Sequence, residues 1–265
     1  MILKRRVSLG GVQLDSLDNR ILISGIDEAA GKETISAVGN SAGKGQRITG
    51  MRRDTLDVTV KFTLNIKNKN MRARAELLEK INAWAANGGW LKVNYRPGRQ
   101  LYVVLAQAPG GGDMFNWTNE FTMVFRAYAV PYWDDVTAAA VQSKVAASGN
   151  MTLEVPGSAQ TVAGVKIENK SGKDITNFTV TVGGKTMKFS ASGSTLLPAN
   201  GTVTIDHWRN AGRTFLRAYN ANRSVLRYRS SDSADDLDVK PGKISISFSA
   251  QRAVLVTVSA KGRYL

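Results

Sequence analysis

The chain has 265 residues, 43% of them hydrophobic, with 36 Lys+Arg against 21 Asp+Glu, one His and no Cys. That hydrophobic content excludes a disordered chain, the missing Cys excludes disulfides, thiolate zinc sites and a cysteine nucleophile, and the lone His207 excludes any metal site needing two imidazoles from one chain. The formal charge of +15 is spread over 19 basic and 13 acidic residues in 1–135 and 17 and 8 in 136–265, which reads as a solvated surface of interspersed signs and argues against specific nucleic-acid binding.

Lys4, Arg5 and Arg6 are followed by Ser8, Gly10, Gly11, Gln13 and Asp15, which break any signal-peptide core. No apolar run approaches the ~20 residues of a membrane helix. A soluble protein made in the cytoplasm, without a membrane anchor, is the expectation. Between Gly25 and Met51 the chain is polar (Asp27, Glu28, Gly31, Lys32, Gly39, Asn40, Gly43, Lys44, Gly45) and too long for an ordinary connection. It reads as an exposed hairpin arm or loop over Asp27–Arg47, able to reach a neighbouring molecule.

Strict alternation follows. In Thr55–Leu64, Leu56, Val58, Val60, Phe62 and Leu64 share one face, the signature of a half-buried strand. Met71–Asn87 instead places Leu77, Leu78, Ile81, Trp84 and Ala85 at helical spacing, with Asn68 or Asn70 as cap and Gly88-Gly89 as terminator. Leu91–Tyr95, Leu101–Leu105 and Glu120–Tyr128 read as strands, the first two joined through a Pro97-Gly98 turn. A first domain over 1–135 follows, β with one helix.

Residues 136–150, rich in Ala and Ser, read as a linker or a strand leading into the second domain, 151–265. There, Val165–Glu168, Phe178–Val182, Met187–Ser190, Val203–Ile205, Phe215–Tyr219, Ile244–Phe248 and Val254–Val258 are short strands. Gly183-Gly184, Pro198–Gly201, Asn220–Asn222 and Pro241-Gly242 supply the turns, the pattern of a β-sandwich.

Catalytic constellations are missing. A triad would need His207, but Asp206 beside it on a strand faces the other way. The glycines of 25–31 and 110–112 lack the spacing and following helix of a phosphate loop. Asp232, Asp235, Asp236 and Asp238 lack the glycine and terminal Glu of a calcium loop, so they read as an acidic surface loop. No enzyme activity, cofactor or metal is expected. The strongest surface is a hairpin of Arg213–Tyr219 and Arg223–Arg229. Arg213, Phe215, Arg217 and Tyr219 alternate on one strand with Arg223, Val225, Arg227 and Arg229 on the other. Leu216, Ala218, Leu226 and Tyr228 would form the core side. With Trp208, the residues Arg213, Phe215, Arg217, Tyr219, Arg227 and Arg229 make a candidate ligand or partner surface.

The order of features carries a resemblance. Val12-Gln-Leu14 is followed by a strand, the polar arm and Gly50-Met-Arg-Arg-Asp54. The helix ending in Ala83-Trp-Ala85, Leu91, Arg96-Pro-Gly-Arg99-Gln-Leu-Tyr102, Phe121-Thr-Met-Val-Phe125 and Pro131-Tyr-Trp133 come next. Thr204-Ile-Asp206, Val239-Lys-Pro-Gly242 and Ile244-Ser-Ile-Ser-Phe248 then follow in the second half. This resembles the distal tail proteins of long, non-contractile-tailed bacteriophages and prophages. The resemblance implies a mainly β fold, with a β-sandwich-like ring domain carrying one helix and an extended arm, then a galectin-like β-sandwich. It implies a hub in the virion tail tip, formed as a homo-oligomeric ring, usually a hexamer, between the tail tube protein and tail-tip or receptor-binding proteins. A carbohydrate-binding module, with Trp208 stacking on a sugar, is the alternative reading; a basic nucleic-acid-binding protein is a third.

Overall fold

The computed structural model describes residues 5–29, 33–39, 46–66, 70–110, 120–191, 193–210, 213–221 and 223–265. Those residues are mainly β, with one α-helix among them, and the chain divides into two units, Met1–Trp133 with Ala211–Arg213 and Asp134–Asn210 with Thr214–Leu265.

The first unit contains β1 (Val7–Leu9), β2 (Val12–Gln13), β3 (Ile21–Ala29), β4 (Glu33–Gly39), β5 (Gln46–Arg53), β6 (Leu56–Leu64), α1 (Met71–Ala86), β7 (Gly89–Val93), β8 (Arg99–Gln107) and β9 (Glu120–Ala127). Its main sheet runs β2-β1-β7-β8-β9-β6-β3. β7 pairs with Leu101–Val103 of β8, and β9 with Val104, Leu105 and Gln107, so the sheet steps along that strand. Alternation in β6 holds at every position, its five apolar residues all buried. That pattern pins the register, because a one-residue slip would expose all five.

Helix α1 starts where Asn70 accepts a hydrogen bond from the Ala73 N–H at 3.0 Å, one of the orphan donors a helix start must satisfy; Asn68 lies outside the described residues. Leu77, Leu78, Ile81 and Ala85 are buried. Trp84 donates its indole N–H to the Val12 carbonyl at 3.2 Å and sets its ring edge-on to Phe125, 6.0 Å between centroids. One side chain thus ties the helix to β2 and to β9. Gly88 ends the helix with φ +61°, where a Cβ would overlap the Val103 carbonyl, so only glycine fits.

Glu28, near the end of β3, gathers three side chains from two distant segments. Its carboxylate accepts from the Trp133 indole at 2.9 Å, from both the Nη2 (2.9 Å) and Nε (3.2 Å) of Arg96, and from the Tyr95 hydroxyl at 3.3 Å. Burial, reinforced by Glu28, pushes the Tyr95 hydroxyl up to about 12. Gly98, at φ +75°, makes the turn that presents Arg96. The short motifs around Arg96 and Trp133 therefore meet on one carboxylate.

The arm is a hairpin, but its boundaries differ from the sequence reading. Asp27–Ala29 still pair with β6, opposite Thr59, Val58 and Asp57. The separate ribbon is β4 with β5, registered from Glu33↔Arg53 to Gly39↔Gln46 and forming a two-stranded sheet of its own. Thr34 donates to Asp54 at 2.7 Å, and Thr49 to the Ser36 carbonyl at 3.1 Å. Described side chains from Thr34 to Gly39 and from Gln46 to Gly50 are all exposed.

The chain continues, from Asp134 on almost wholly in the second unit, with β10 (Trp133–Asp135), β11 (Ala139–Gln142), β12 (Ala146–Val155), β13 (Thr161–Asn169), β14 (Asn177–Val182), β15 (Lys185–Ser190), β16 (Thr202–Asn210), β17 (Arg213–Asn220), β18 (Arg223–Ser224), β19 (Asp238–Val239), β20 (Gly242–Ala260) and β21 (Arg263–Tyr264). Residues 136–150 thus hold β11 and the start of β12, both paired with β20. Ile244–Phe248 and Val254–Val258, expected as two strands, form one strand of 19 residues. Its first half pairs with β12 and β14 and its second half with β11 and β13. The polar break at Gln251-Arg252 does not end the strand, because both side chains bind the adjoining loop: Gln251 accepts from Thr176 N–H, and Arg252 donates to the Asp174 carbonyl. Buried Val165, Ile167, Phe178, Val180, Val203, Ile205, Ile246, Phe248, Val256 and Val258 fill the core.

Asn169 closes one end of that core. Fully buried, its side-chain N–H₂ donates to the carbonyls of Lys173 (2.7 Å), Pro198 (2.9 Å) and Leu197 (3.3 Å), and its oxygen accepts from the backbone and hydroxyl of Ser171. Asn169→Ala strands several of these groups at once, at about 1–3 kcal/mol for each one left buried and unsatisfied. Urea unfolding should therefore show a stability loss of about 2–4 kcal/mol, against under 1 kcal/mol for the neighbouring exposed Lys170→Ala.

Candidate functional site

Alternation of β17 places its side chains as the sequence suggests. Ala218 is buried, Leu216 packs partly buried on the core, and Phe215 is exposed on the opposite face. Arg217 and Tyr219 share that outer face, half-buried. Arg213 lies in β17, but its side chain is outside the described ones.

On β16, the sheet neighbour of β17, Trp208 joins this face. Trp208 is 45% exposed and Phe215 46%, their rings 6.1 Å apart and tilted by 34°. Large rings with this exposure are uncommon on a surface that faces only water. Beside them, Arg217 makes a two-pronged pair with Asp206, both contacts 2.9 Å, and its guanidinium lies 5.3 Å from the centre of the Tyr219 ring. The Asp206 bond holds the Arg217 charge more firmly than usual, against the opposing effect of burial. The result is an aromatic pair beside a rigid, charge-balanced fork.

The second strand of the expected hairpin is a correction. β18 has only two residues, paired as Tyr219↔Ser224 and Asn220↔Arg223. Val225 then turns inward and is buried, its N–H bonded to the Ala218 carbonyl, and Leu226–Tyr228 form a 3₁₀ turn. The Ser224 hydroxyl accepts from the Leu226 N–H at 3.4 Å, a local bond that competes with a strand ladder. Val225, assigned to the outer face, is therefore core, while Leu226 and Tyr228 pack partly buried against it. Arg227 and Arg229 do not interleave with β17. Arg227 lies over Tyr228, 4.7 Å from the ring centre, and donates to its hydroxyl at 2.6 Å. Arg229 turns to Asp235 and to the carbonyls of Ala234 and Asp235.

Each aspartate of the acidic loop has a basic partner: Asp232 with Lys188, Asp235 with Arg229, Asp238 with Lys185, and Asp236 with His207 at 2.6 Å. Burial is the largest influence on Asp236 and opposes its charge, but the His207 contact, the Leu237 N–H and the nearby Lys185 together outweigh it and hold that carboxyl below its ordinary range. His207 therefore belongs to a loop-anchoring pair, and Asp206 is committed to Arg217. Of the glycine run 110–112, only Gly110 is among the described residues.

Comparison with solved structures decides the architecture. The chain is similar to SPP1 Dit (gp 19.1), described as a paradigm of hub adsorption apparatus in Gram-positive infecting phages. That match has a TM-score of 0.72 at 13% identity and covers 98% of this chain and 99% of the other. The chain has the distal tail protein fold. A second match, in the phage P2 baseplate in its activated conformation with Ca, has a TM-score of 0.51 at 9% identity, covering 99% of this chain and 98% of that one. The fold class agrees with the sequence reading, mainly β with a galectin-like second domain. No protein-family model matches the chain, and no curated protein matches it. Among the described residues, no helix is long and apolar enough to cross a membrane.

Proposed function

We propose that this chain is a non-enzymatic structural hub of a phage tail tip. In this reading it assembles as a homo-oligomeric ring, a hexamer by resemblance, in which residues 1–135 form the ring and residues 151–265 form the outward domain. Its partners are the tail tube protein and the tail-tip or receptor-binding proteins, and its place is the virion, after synthesis in the bacterial host. The observation that carries the proposal is correspondence with a tail hub protein along nearly the whole of both chains. The free β4–β5 ribbon supports it, since a two-stranded hairpin is marginal alone and gains from a neighbour.

Light scattering and negative-stain microscopy of the purified chain test it. A ring with an open centre is the expected result, and a monomer at every concentration reached would remove the proposal. The face carrying Trp208 and Phe215 fits a docking surface for a tail-tip protein, where exposed Trp, Tyr and Arg concentrate binding energy.

A further inference from the structure

A concavity lies around the end of β17, and neither Trp208 nor Phe215 is among its lining residues. It has a volume of about 590 Å³, within the range of small-ligand sites. Arg223 and Arg227 line it with Ser194, Asn220, Ser224 and Tyr228, and no carboxylate is among its described lining residues. Thr195, also in the wall, holds Asp174 through its hydroxyl at 2.7 Å, but Asp174 itself does not line the cavity.

The arginines here differ from their neighbours. Lys185, Lys188, Arg217 and Arg229 each have an aspartate partner. Among the described residues neither Arg223 nor Arg227 forms an ion pair. Arg227 is held in place by Tyr228, whose ring packs on the core, so part of its ordering cost is met before any ligand arrives. At the rim, Ala221 sits at φ +47°, a conformation that costs a non-glycine residue energy and concentrates at functional positions.

We propose that this cavity binds a phosphate ester carried on a sugar or polyol. Two guanidinium groups without carboxylate partners supply the forked donors that phosphate oxygens accept. The cavity is far larger than a phosphate group, and Ser194, Ser224, Tyr228 and Asn220 in its lining are groups that can hydrogen-bond the hydroxyls of a carrier. A neutral saccharide would leave both charges unmatched, and inorganic phosphate would leave most of the volume empty. The site is independent of the ring proposal, since every residue in it belongs to the second unit of one chain.

Calorimetric titration of the full chain with glycerol 3-phosphate, glucose 1-phosphate, inorganic phosphate and glucose tests this. The two esters should bind at submillimolar concentration, inorganic phosphate at least tenfold more weakly, and glucose not measurably. Arg223→Gln should weaken ester binding roughly tenfold, and the pair Arg223→Gln with Arg227→Gln further, each lost charged contact having that order of effect. Arg223 is exposed, so its variant should melt as the parent does. Absence of ester binding, glucose binding as tightly as its phosphate, inorganic phosphate matching the esters, or full affinity in the double variant would each overturn the assignment.

Discussion

Replacing Arg263 with methionine is expected to destabilise the second unit by about 3–5 kcal/mol, the largest single-residue effect expected in the chain. Arg263 and Asp134 are both buried, with Nε 3.0 Å from the carboxylate, and a further guanidinium N–H reaches the Gln160 carbonyl at 3.0 Å. Methionine keeps most of the apolar volume but removes the counter-charge from a carboxylate that has little water. The main chain raises the stakes. The Arg263 carbonyl accepts from Ser158 and Ala159 N–H, and the Gly262 carbonyl from Asp135 N–H. The Tyr264 hydroxyl donates to Asp135 at 3.1 Å. Gly157, at φ +118°, lets the chain pass so close that any Cβ there would strike the Arg263 backbone. The C-terminal strand is thus a clasp on the residues that begin the unit. Chemical unfolding should show the loss for Arg263→Met and a large recovery for Arg263→Met with Asp134→Leu, because two apolar residues need no charge compensation. A single variant as stable as the parent would show that the pair is solvated.

How much of this was legible depended on what each residue answered to. Strands whose alternation is enforced by a core, such as β6, and the helix bounded by Asn70 and Gly88, are local patterns and were readable. β20 reads as two strands because its apolar alternation lapses around Gln251 and Arg252, yet these side chains bond to a loop some 75 residues away. Such a partner is invisible in a window of ten residues. The same holds for Glu28, a polar residue of an apparent arm that proves to be the meeting point of Tyr95, Arg96 and Trp133.

The candidate surface was half legible for a related reason. Period two places Phe215, Arg217 and Tyr219 correctly, because β17 is flanked on the sheet. It fails after Ser224, where one buried valine and a 3₁₀ turn break the ladder. Arg-rich runs carry no signal for that change, since arginine suits strands, turns and caps alike. The cavity with Arg223 and Arg227 had no sequence signature, being assembled from the 194–198 loop and the turn after β17.

If the proposed ring is closed through the β4–β5 hairpin, changing Ile35, Val38 and Ile48 together to lysine should abolish its assembly while leaving the fold intact. All three are more than half exposed in the isolated chain, so their replacement should cost within about 0.5 kcal/mol each in the monomer. In a ring the arithmetic reverses. Burying an aliphatic side chain of this size contributes about 1.5–3 kcal/mol, and three of them per contact amount to several kcal/mol. A closed ring repeats one head-to-tail interface at every subunit, so the same loss is incurred at each contact, and three added charges per hairpin repel whatever apolar surface received it. Light scattering should then give a monomer whose thermal midpoint and circular dichroism match those of an unassembled parent. Replacing residues 30–53 with a short glycine linker between Ala29 and Asp54 should give the same monomer, since the β3–β6 ladder ends at Ala29↔Asp57 and does not use the ribbon. Intact rings from both variants would mean that the hairpin lies outside the interface, and the assembly surface would then have to be sought on the main sheet.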